Sequence, residues 1–295
     1  MKYVPGLMVG QLSGKAGNTV ASRNKGGSYI RTRVIPKHVV NPLTSEVRAN
    51  FGANSQLYTQ LTDTQRMEWT ALGSQITRKT SLGETIHLTG LQALQSVNRN
   101  LNAIGQAQVA DAPDFDSPPE LVDIFLSASA GVPHTTTVTV GADSATQQVG
   151  STTNMYAGQS VFFPAEAVYR QVQSITDATH VVFTSPVNST TAEALTFTGL
   201  PTITLDFDNS PIPSGVYMVI EATAPLSAGV SRPSRGQFRQ LAVSLPTDTS
   251  PVDLGIGYAV ALGQPPAGSK IFVRVKFVTA TGFAGSPLAW SATVS

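Results

Sequence analysis

The segment PPELVDIFLSASAG, residues 118–131, decides how the C-terminal part of the chain is organised. It is a short apolar pattern bounded by Pro118-Pro119 and by Gly131, and bounded runs of this kind are typical of β-strands. The strand-rich sequence that begins at residue 200 lacks a first strand of its own. We therefore predict that residues 118–131 supply that strand, and that the chain leaves the domain and returns to it at residue 200.

The sequence from residue 120 onward is almost entirely strand-like. About ten short apolar runs alternate with turn residues, a pattern typical of β-sandwiches and small barrels. We predict an Ig- or fibronectin-III-like β-sandwich formed by residues 120–130 and 200–295, with an inserted, small β-barrel-like domain at residues 131–199. Two consecutive sandwiches are the simpler alternative. The segment VDLGIGYAVALG, residues 252–263, is predicted to be a short helix between strands.

Residues 42–105 change to a helical periodicity and predict a small anchor of three helices. Thr62 with Gln65, and Thr89 with Gln92, fit the capping box that begins a helix. The predicted apolar stripes consist of Val47, Phe51, Ser55 and Tyr58, then Trp69, Leu72 and Ile76, then Leu94, Val97, Leu101 and Ile104. The Pro- and Asp-rich residues 106–119 form a linker. The fold class is therefore multidomain and mainly β, with an extended N-terminal arm and a small helical unit before the sandwich and its nested β-domain.

The charge of the chain is low and unevenly distributed. Asp, Glu, Lys and Arg make up 13% of the 295 residues, about half the usual share in a globular protein. Residues 1–50 contain eight Lys and Arg against Glu46 alone, a net charge of +7, so the other residues carry −6 to give the total of +1. The absence of cysteine excludes disulfides, thiolate metal sites and cysteine nucleophiles. No apolar run fits a signal peptide or a membrane span, so we expect a soluble protein made in a cytosol.

Residues 1–41 form a glycine-rich, basic segment that we predict to be an extended arm. Weak alternation and the pair Gly26-Gly27 predict one or two short strands joined by a turn. An isolated hairpin is marginal in water, so the arm needs its own body or another subunit to lie on. We predict docking on an acidic protein surface through Lys15, Arg23, Lys25, Tyr29, Arg31, Arg33 and Lys37. Nucleic-acid binding is disfavoured because Tyr29 is the one aromatic residue among these cations, and packing within the chain stays open.

The residue patterns that carry enzyme chemistry are missing or incomplete. GQLSGKAGN, residues 10–18, is one residue short of the Walker A spacing and has Ala16 where a Ser or Thr is required. The histidines form no close pair, and no G-x-S-x-G occurs. A glycosidase would need two carboxylates held across a cleft, and the clustered candidates are Asp111, Asp114, Asp116, Asp206 and Asp208. We expect no catalytic, cofactor or metal site, and the protein is not expected to be an enzyme.

Four segments resemble a family of tailed-phage structural proteins, namely LSGKAGNTVASRNKGGSYIRTRVIP (12–36), NPLTSEVRANF (41–51), LTDTQRMEWTALGS (61–74) and LTGLQALQSVNRN (88–100). That family combines a Gly/Arg-rich N-terminal segment and two such helices with a C-terminal Ig- or fibronectin-like domain, to which KIFVRVKFVTATGFAGSPL (270–288) is similar. The chain departs at residues 41–51, where the family more often reads NP.T..Q...R. The resemblance covers residues 5–105 and implies a virion component.

From this resemblance we expect a non-enzymatic structural virion protein, assembled in the host cytoplasm. A capsid-surface decoration or head-fibre protein anchored by its arm and helices is the favoured role, and a tail or neck component is the alternative. The expected partners are other virion proteins, either the major capsid protein or neck and tail proteins, and further copies in a homo-oligomer. No membrane partner is expected. A carbohydrate- or receptor-binding module is a further alternative, with Trp290 or Tyr258 as its aromatic residue, although Trp290 fits a core position better.

Overall fold

The computed structural model of the chain describes residues 12–24, 27–34, 42–80, 83–139, 144–187, 192–208 and 210–295. It divides into two compact units, of which unit 1 comprises Met1–Asp116 and Thr281–Phe283 and unit 2 comprises Ser117–Ala280 and Ala284–Ser295. The described residues form eighteen β-strands and four α-helices, which confirms the prediction of a mainly β, multidomain chain. None of these helices combines the length and the apolar character that crossing a bilayer requires.

Unit 1 contains a small antiparallel sheet with the strand order β1-β2-β3, formed by Gly14–Ala16, Thr19–Asn24 and Gly27–Thr32. Gly17 has a φ of 55° in the turn between β1 and β2, a conformation that glycine adopts without the steric cost of a Cβ. The prediction of one or two strands missed β1, because three residues are too few for an alternating pattern to show.

Three helices and a two-stranded hairpin follow in unit 1, namely α1 (Pro42–Gln60), α2 (Asp63–Gln75), β4 (Thr77–Lys79), β5 (Thr85–His87) and α3 (Gly90–Ala103). Both predicted capping boxes are confirmed. The Thr62 hydroxyl accepts from the Gln65 N–H while the Gln65 side chain accepts from the Thr62 N–H, and Thr89 and Gln92 repeat this exchange. Each box satisfies two N–H groups that a helix start would otherwise leave without partners.

The core of unit 1 includes residues of α2 and α3 and the chain that follows α3. Trp69 is completely buried, and its Nε1 donates to the Ala110 carbonyl oxygen over 2.7 Å. The buried Asn98 side chain donates to Val109 O over 3.1 Å and accepts from Val109 N over 2.9 Å. Further buried apolar side chains of this unit are Leu61, Leu72, Leu88, Ala93, Leu94, Val97, Leu101 and Ile104.

The predicted apolar stripe of α1 is wrong for its N-terminal half. Val47 and Phe51 are 65% and 59% exposed. A contact of α1 with α3 lies further along the helix, where Gln95 Nε2 donates to Ser55 Oγ over 3.1 Å. A helical apolar pattern marks a face, but it does not say how much of that face a neighbouring element covers.

Unit 2 contains the remaining elements, which are β6 (Ile124–Ser129), β7 (Pro133–Val138), β8 (Ser144–Gln148), β9 (Ser160–Phe163), β10 (Val168–Ile175), β11 (His180–Val187), β12 (Glu193–Thr198), β13 (Thr202–Phe207), β14 (Val216–Thr223), a short 3-10 helix (Arg235–Gln237), β15 (Phe238–Ser244), β16 (Val252–Asp253), α4 (Gly255–Leu262), β17 (Lys270–Thr279) and β18 (Leu288–Thr293). These strands form three sheets.

The first of these sheets has six strands in the order β7-β12-β9-β10-β11-β8. A bridge between Val138 and Val149 connects β7 to the end of β8, so the sheet closes on itself. Its apolar interior consists of Val138, Val149, Met155, Val161, Phe163, Val172, Val181, Phe183, Val187, Leu195 and Phe197. The sequence pattern missed β8, whose residues SATQQ contain no large apolar side chain.

The other two sheets have the orders β16-β13-β6 and β15-β14-β17-β18. Strand β6, which lies within the segment 118–131, pairs antiparallel with β13 from Ser129↔Thr202 to Ile124↔Phe207. The inward side chains of both sheets join one core cluster, whose most deeply buried members are Ile203, Leu205, Met218, Ile220, Ala222, Tyr258, Ile271, Val273 and Val275.

The chain passes between the six-stranded sheet and the rest of unit 2 through two closely spaced glycines. A Cβ on Gly131 would lie 2.0 Å from the Gly199 carbonyl oxygen, and Gly199 N donates to Val132 O over 2.8 Å. Gln264 Nε2 donates to Gly199 O over 3.1 Å and to the Tyr156 hydroxyl over 2.6 Å. Burial raises the pKa of Tyr156. At this crossing point, a close backbone contact that only glycine permits is joined by the hydrogen bonds of the Gln264 side chain.

Helix α4 confirms the helix predicted within residues 252–263. Tyr258 on this helix is completely buried, and its hydroxyl donates to Thr223 O over 2.8 Å. Tyr258 therefore cannot serve as an exposed aromatic binding residue. The core position expected for Trp290 is also wrong, because this side chain is 42% exposed. Trp290 lies on β18, the last strand in the order of its sheet.

Candidate protein-docking surface

The register of the N-terminal sheet places three of the predicted docking residues on one face. Residues directly opposite each other in an antiparallel pair share a face, and residues two apart on a strand do so as well. Lys15, Val20 and Arg31 lie opposite one another in a row across β1, β2 and β3. Tyr29 lies two residues before Arg31 on β3. Lys15, Tyr29 and Arg31 therefore point to the same side of the sheet.

Arg33 extends this surface beyond the end of β3. Its backbone N–H donates to the Asn18 carbonyl oxygen over 2.6 Å, which continues the ladder by one residue pair. Because Arg33 is two residues after Arg31, its side chain alternates onto the same side. We call the surface formed by Lys15, Tyr29, Arg31 and Arg33 the basic face.

The other predicted docking residues do not join the basic face. Arg23 lies two residues after Ala21, which is opposite Ile30, so Arg23 is on the reverse side of the sheet. Lys25 and Lys37 lie outside the described residues. The sequence could not predict which cations share a face of the sheet. The face depends on the strand register, and the glycine-rich pattern does not specify that register.

The cations of the basic face are exposed to solvent. Lys15, Arg31 and Arg33 are exposed, and none of them makes an ion pair within the part of the chain that the structure describes. Lys15 and Arg31 are two strand spacings apart, about 10 Å, and Arg31 and Arg33 are about 7 Å apart along β3. Like charges at these distances reinforce one positive potential, which favours an anionic partner.

The N-terminal sheet lacks a hydrophobic core within residues 12–24 and 27–34. Ser28 is buried, whereas Val20, Ala21, Tyr29 and Ile30 are only half-buried. Ordering the backbone costs about 1–2 kcal/mol per residue, and small sheets need an apolar face packed on another element to offset that cost. Among the described residues of this sheet, the apolar side chains are therefore only partly removed from water.

A second exposed feature is an aromatic pair in unit 2. Phe125 on β6 is 58% exposed and Trp290 on β18 is 42% exposed, and their ring centroids are 6.4 Å apart. Phe125 lies opposite Asp206 on β13. Aromatic rings beside polar groups are common at binding surfaces, because one side chain offers both apolar area and a defined orientation.

The described residues contain no group of three or more His, Cys, Asp or Glu placed to hold a metal ion. The one close contact between a histidine and a carboxylate that the structure describes is in the turn after β10, where His180 Nδ1 lies 2.9 Å from Asp177 Oδ2. Hydrogen bonds from the Thr179 backbone and from His180 lower the pKa of Asp177 to about 2. This contact orders a β-turn at the protein surface.

The sequence matches no protein-family model, and no curated protein matches it.

Proposed function

We propose that the protein is a non-enzymatic structural component of a tailed-phage particle, and that it docks on a neighbouring subunit through its basic face. A capsid-surface decoration or head-fibre protein is the favoured role. The observation that carries this proposal is a set of exposed cations that make no ion pair within the described residues, on a sheet that has no apolar core within residues 12–24 and 27–34. The resemblance of residues 5–105 to tailed-phage structural proteins supports the particle as the location.

The chemistry of the basic face suits an acidic protein partner. Each guanidinium of Arg31 and Arg33 can donate two parallel hydrogen bonds to one carboxylate. Tyr29 adds apolar area with a hydroxyl at its end. Contact would also remove the half-buried Val20 from water, which offsets part of the cost of ordering the sheet. Binding of this kind is fast at low ionic strength and weakens as salt screens the charges.

We also propose that unit 2 is a fibronectin-III-like sandwich in which the six-stranded sheet is nested. The pairing of β6 with β13 across residues 131–199 supports this arrangement over two consecutive sandwiches. The two sheets that share one core cluster, with three and four strands, are the faces of the proposed sandwich. The six-stranded sheet has a separate apolar interior of its own.

The docking proposal is tested by reversing the charge on the basic face. Arg31→Glu/Arg33→Glu should weaken binding to isolated particles that already carry wild-type copies by at least about 30-fold, because losing paired interfacial charges costs about 2–5 kcal/mol. Binding is measured by co-sedimentation across a concentration series. Arg23→Glu is the matched control, since it reverses one charge on the opposite side of the same sheet and should bind like the wild type.

Normal particle binding by the Arg31→Glu/Arg33→Glu protein would contradict the docking proposal. Equal loss in the Arg23→Glu protein would also contradict it, because the effect would then follow net charge and not the face. The copy number per particle, measured by mass spectrometry, separates the two structural roles. Hundreds of copies indicate capsid decoration, and about six or twelve indicate the neck or tail.

The exposed aromatic pair supports a second candidate function, a carbohydrate- or receptor-binding module in unit 2. Trp290→Ala and Phe125→Ala should each remove binding to a glycan array if the rings form a stacking platform for sugars. Tyr258→Phe is the control, because that side chain is buried in the core and should leave glycan binding unchanged. Absence of any glycan signal for the wild-type protein would rule against this candidate.

A further inference from the structure

Unit 2 carries an acidic surface on the outer side of the sheet β16-β13-β6. Asp206 lies opposite Phe125, on the side away from the core cluster. Asp208 is two residues further along and therefore shares that side. Asp253 lies opposite Thr204, two residues before Asp206, and projects to the same side.

Asp123 completes this surface next to β6. The Asp208 N–H donates to the Asp123 carbonyl oxygen over 3.4 Å, which extends the pairing of β6 and β13 by one residue pair. We call the surface formed by Asp123, Asp206, Asp208 and Asp253 the acidic face. Asp123, Asp208 and Asp253 are exposed and Asp206 is half-buried, and none of the four makes an ion pair within the described residues.

The acidic face is opposite in charge to the basic face and similar to it in the spacing of its charges. Both faces belong to three-stranded antiparallel sheets, β16-β13-β6 and β1-β2-β3. Asp206 and Asp208 are about 7 Å apart along their strand, as are Arg31 and Arg33. Each pair also has an aromatic neighbour on its own face, Phe125 beside Asp206 and Tyr29 beside Arg31.

We infer that the partner of the basic face is the acidic face of a second copy of this chain. The inference rests on the docking role proposed above and names its partner. Reversed charges on matching surfaces favour this pairing, and like charges disfavour the pairing of two basic or two acidic faces. The net charge of +7 in residues 1–50 and of −6 in the rest gives every copy both halves of the contact.

Such a contact is head-to-tail, because the two surfaces that meet are different. Head-to-tail contacts close into rings when the rotation between copies permits, and otherwise extend into chains. The predicted assembly therefore grows with protein concentration beyond a dimer. It dissociates as ionic strength rises, because both faces are exposed and their charges are screened by salt.

Sedimentation velocity of the full-length protein tests the inference. The wild type should form oligomers in about 50 mM salt, and its association constant should fall at least about tenfold in about 500 mM salt. Arg31→Glu/Arg33→Glu changes the basic face, and Asp206→Asn/Asp208→Lys changes the acidic face. Asparagine at 206 keeps an acceptor for the Ser250 hydroxyl, which donates to Asp206 over 3.3 Å. Each variant alone should sediment as a monomer.

An equimolar mixture of the two variants is the decisive sample. One variant retains an intact acidic face and the other an intact basic face, so the mixture should form a 1:1 dimer and no larger species. The controls are Arg23→Glu on the reverse side of the basic sheet and Asp114→Lys in the linker, and both should assemble like the wild type. Circular dichroism checks folding, and Asp208→Lys alone replaces the double variant if the double variant unfolds.

A wild-type monomer at about 100 μM in low salt overturns the inference, as does a mixture that stays monomeric. These outcomes are distinct from failure of the docking proposal. If the wild type is monomeric while Arg31→Glu/Arg33→Glu still loses particle binding, the basic face docks on a different protein and only the inference fails. If that variant binds particles normally, the docking proposal itself fails.

Discussion

Gly131→Ala should destabilise unit 2 by about 3 kcal/mol or more, a large effect for one added methyl group. The new Cβ would lie 2.0 Å from the Gly199 carbonyl oxygen and 2.9 Å from the Gly199 carbonyl carbon. Both atoms belong to the backbone, so no side-chain rotation can relieve the overlap. The chain must separate at the point where it enters and leaves the six-stranded sheet.

Urea unfolding of unit 2 can be followed separately from unit 1. The chain has two tryptophans, Trp69 in unit 1 and Trp290 in unit 2, so fluorescence of a Trp69→Phe background reports unit 2. Gly229→Ala is the control, because a Cβ there meets nothing within 4 Å. It should change the free energy of unfolding by no more than about 0.5 kcal/mol. Equal midpoints for the Gly131 and Gly229 variants would contradict this prediction.

Trp69→Ala should destabilise unit 1 by about 3–5 kcal/mol, the usual cost of removing a buried aromatic side chain. Trp69 is completely buried, and the loss would also leave the Ala110 carbonyl oxygen without the indole N–H that lies 2.7 Å away. A small helical unit has little stability to spare, so we expect its helices to be largely unfolded at 37 °C.

Thermal melting followed by the helical circular dichroism signal measures this effect, since α1, α2 and α3 all lie in unit 1. Trp69→Phe keeps most of the apolar volume and removes the hydrogen bond, so it should cost less than the alanine variant. Met67→Ala is the matched control on the same helix, because Met67 is 66% exposed. A melting temperature for Trp69→Ala within the error of the Met67→Ala value would show that the indole does not hold the unit together.

Features of the fold that depend on a few neighbouring residues could be predicted from sequence. The capping boxes at Thr62 and Thr89 and the helix within residues 252–263 are of this kind. Strands β1 and β8 escaped prediction because the first is too short and the second has no large apolar residue. Each of these two strands is held by backbone pairing with its neighbours, and its side chains give little indication of that pairing.

The candidate site was predictable in composition but not in arrangement. Clustered cations among glycines identified the N-terminal segment, and the missing acidic residues predicted a charged contact. The row of Lys15, Val20 and Arg31 exists only because β1, β2 and β3 pair in one register, and the same register turns Arg23 to the other side. The sequence showed Asp206 and Asp208 as close neighbours, but it did not predict the acidic face, because Asp123 and Asp253 join them only through strand pairing.

The sequence by itself determined the helix starts, the β character of residues 120–295 and the separation of positive from negative charge along the chain. These properties come from short-range periodicity and composition, which no distant contact can change. The tertiary structure alone decided which side chains are covered, as the exposed Phe51 and Trp290 and the buried Tyr258 show. Coverage depends on which elements pack together, and that is set by the sum of many weak contacts between residues far apart in the chain.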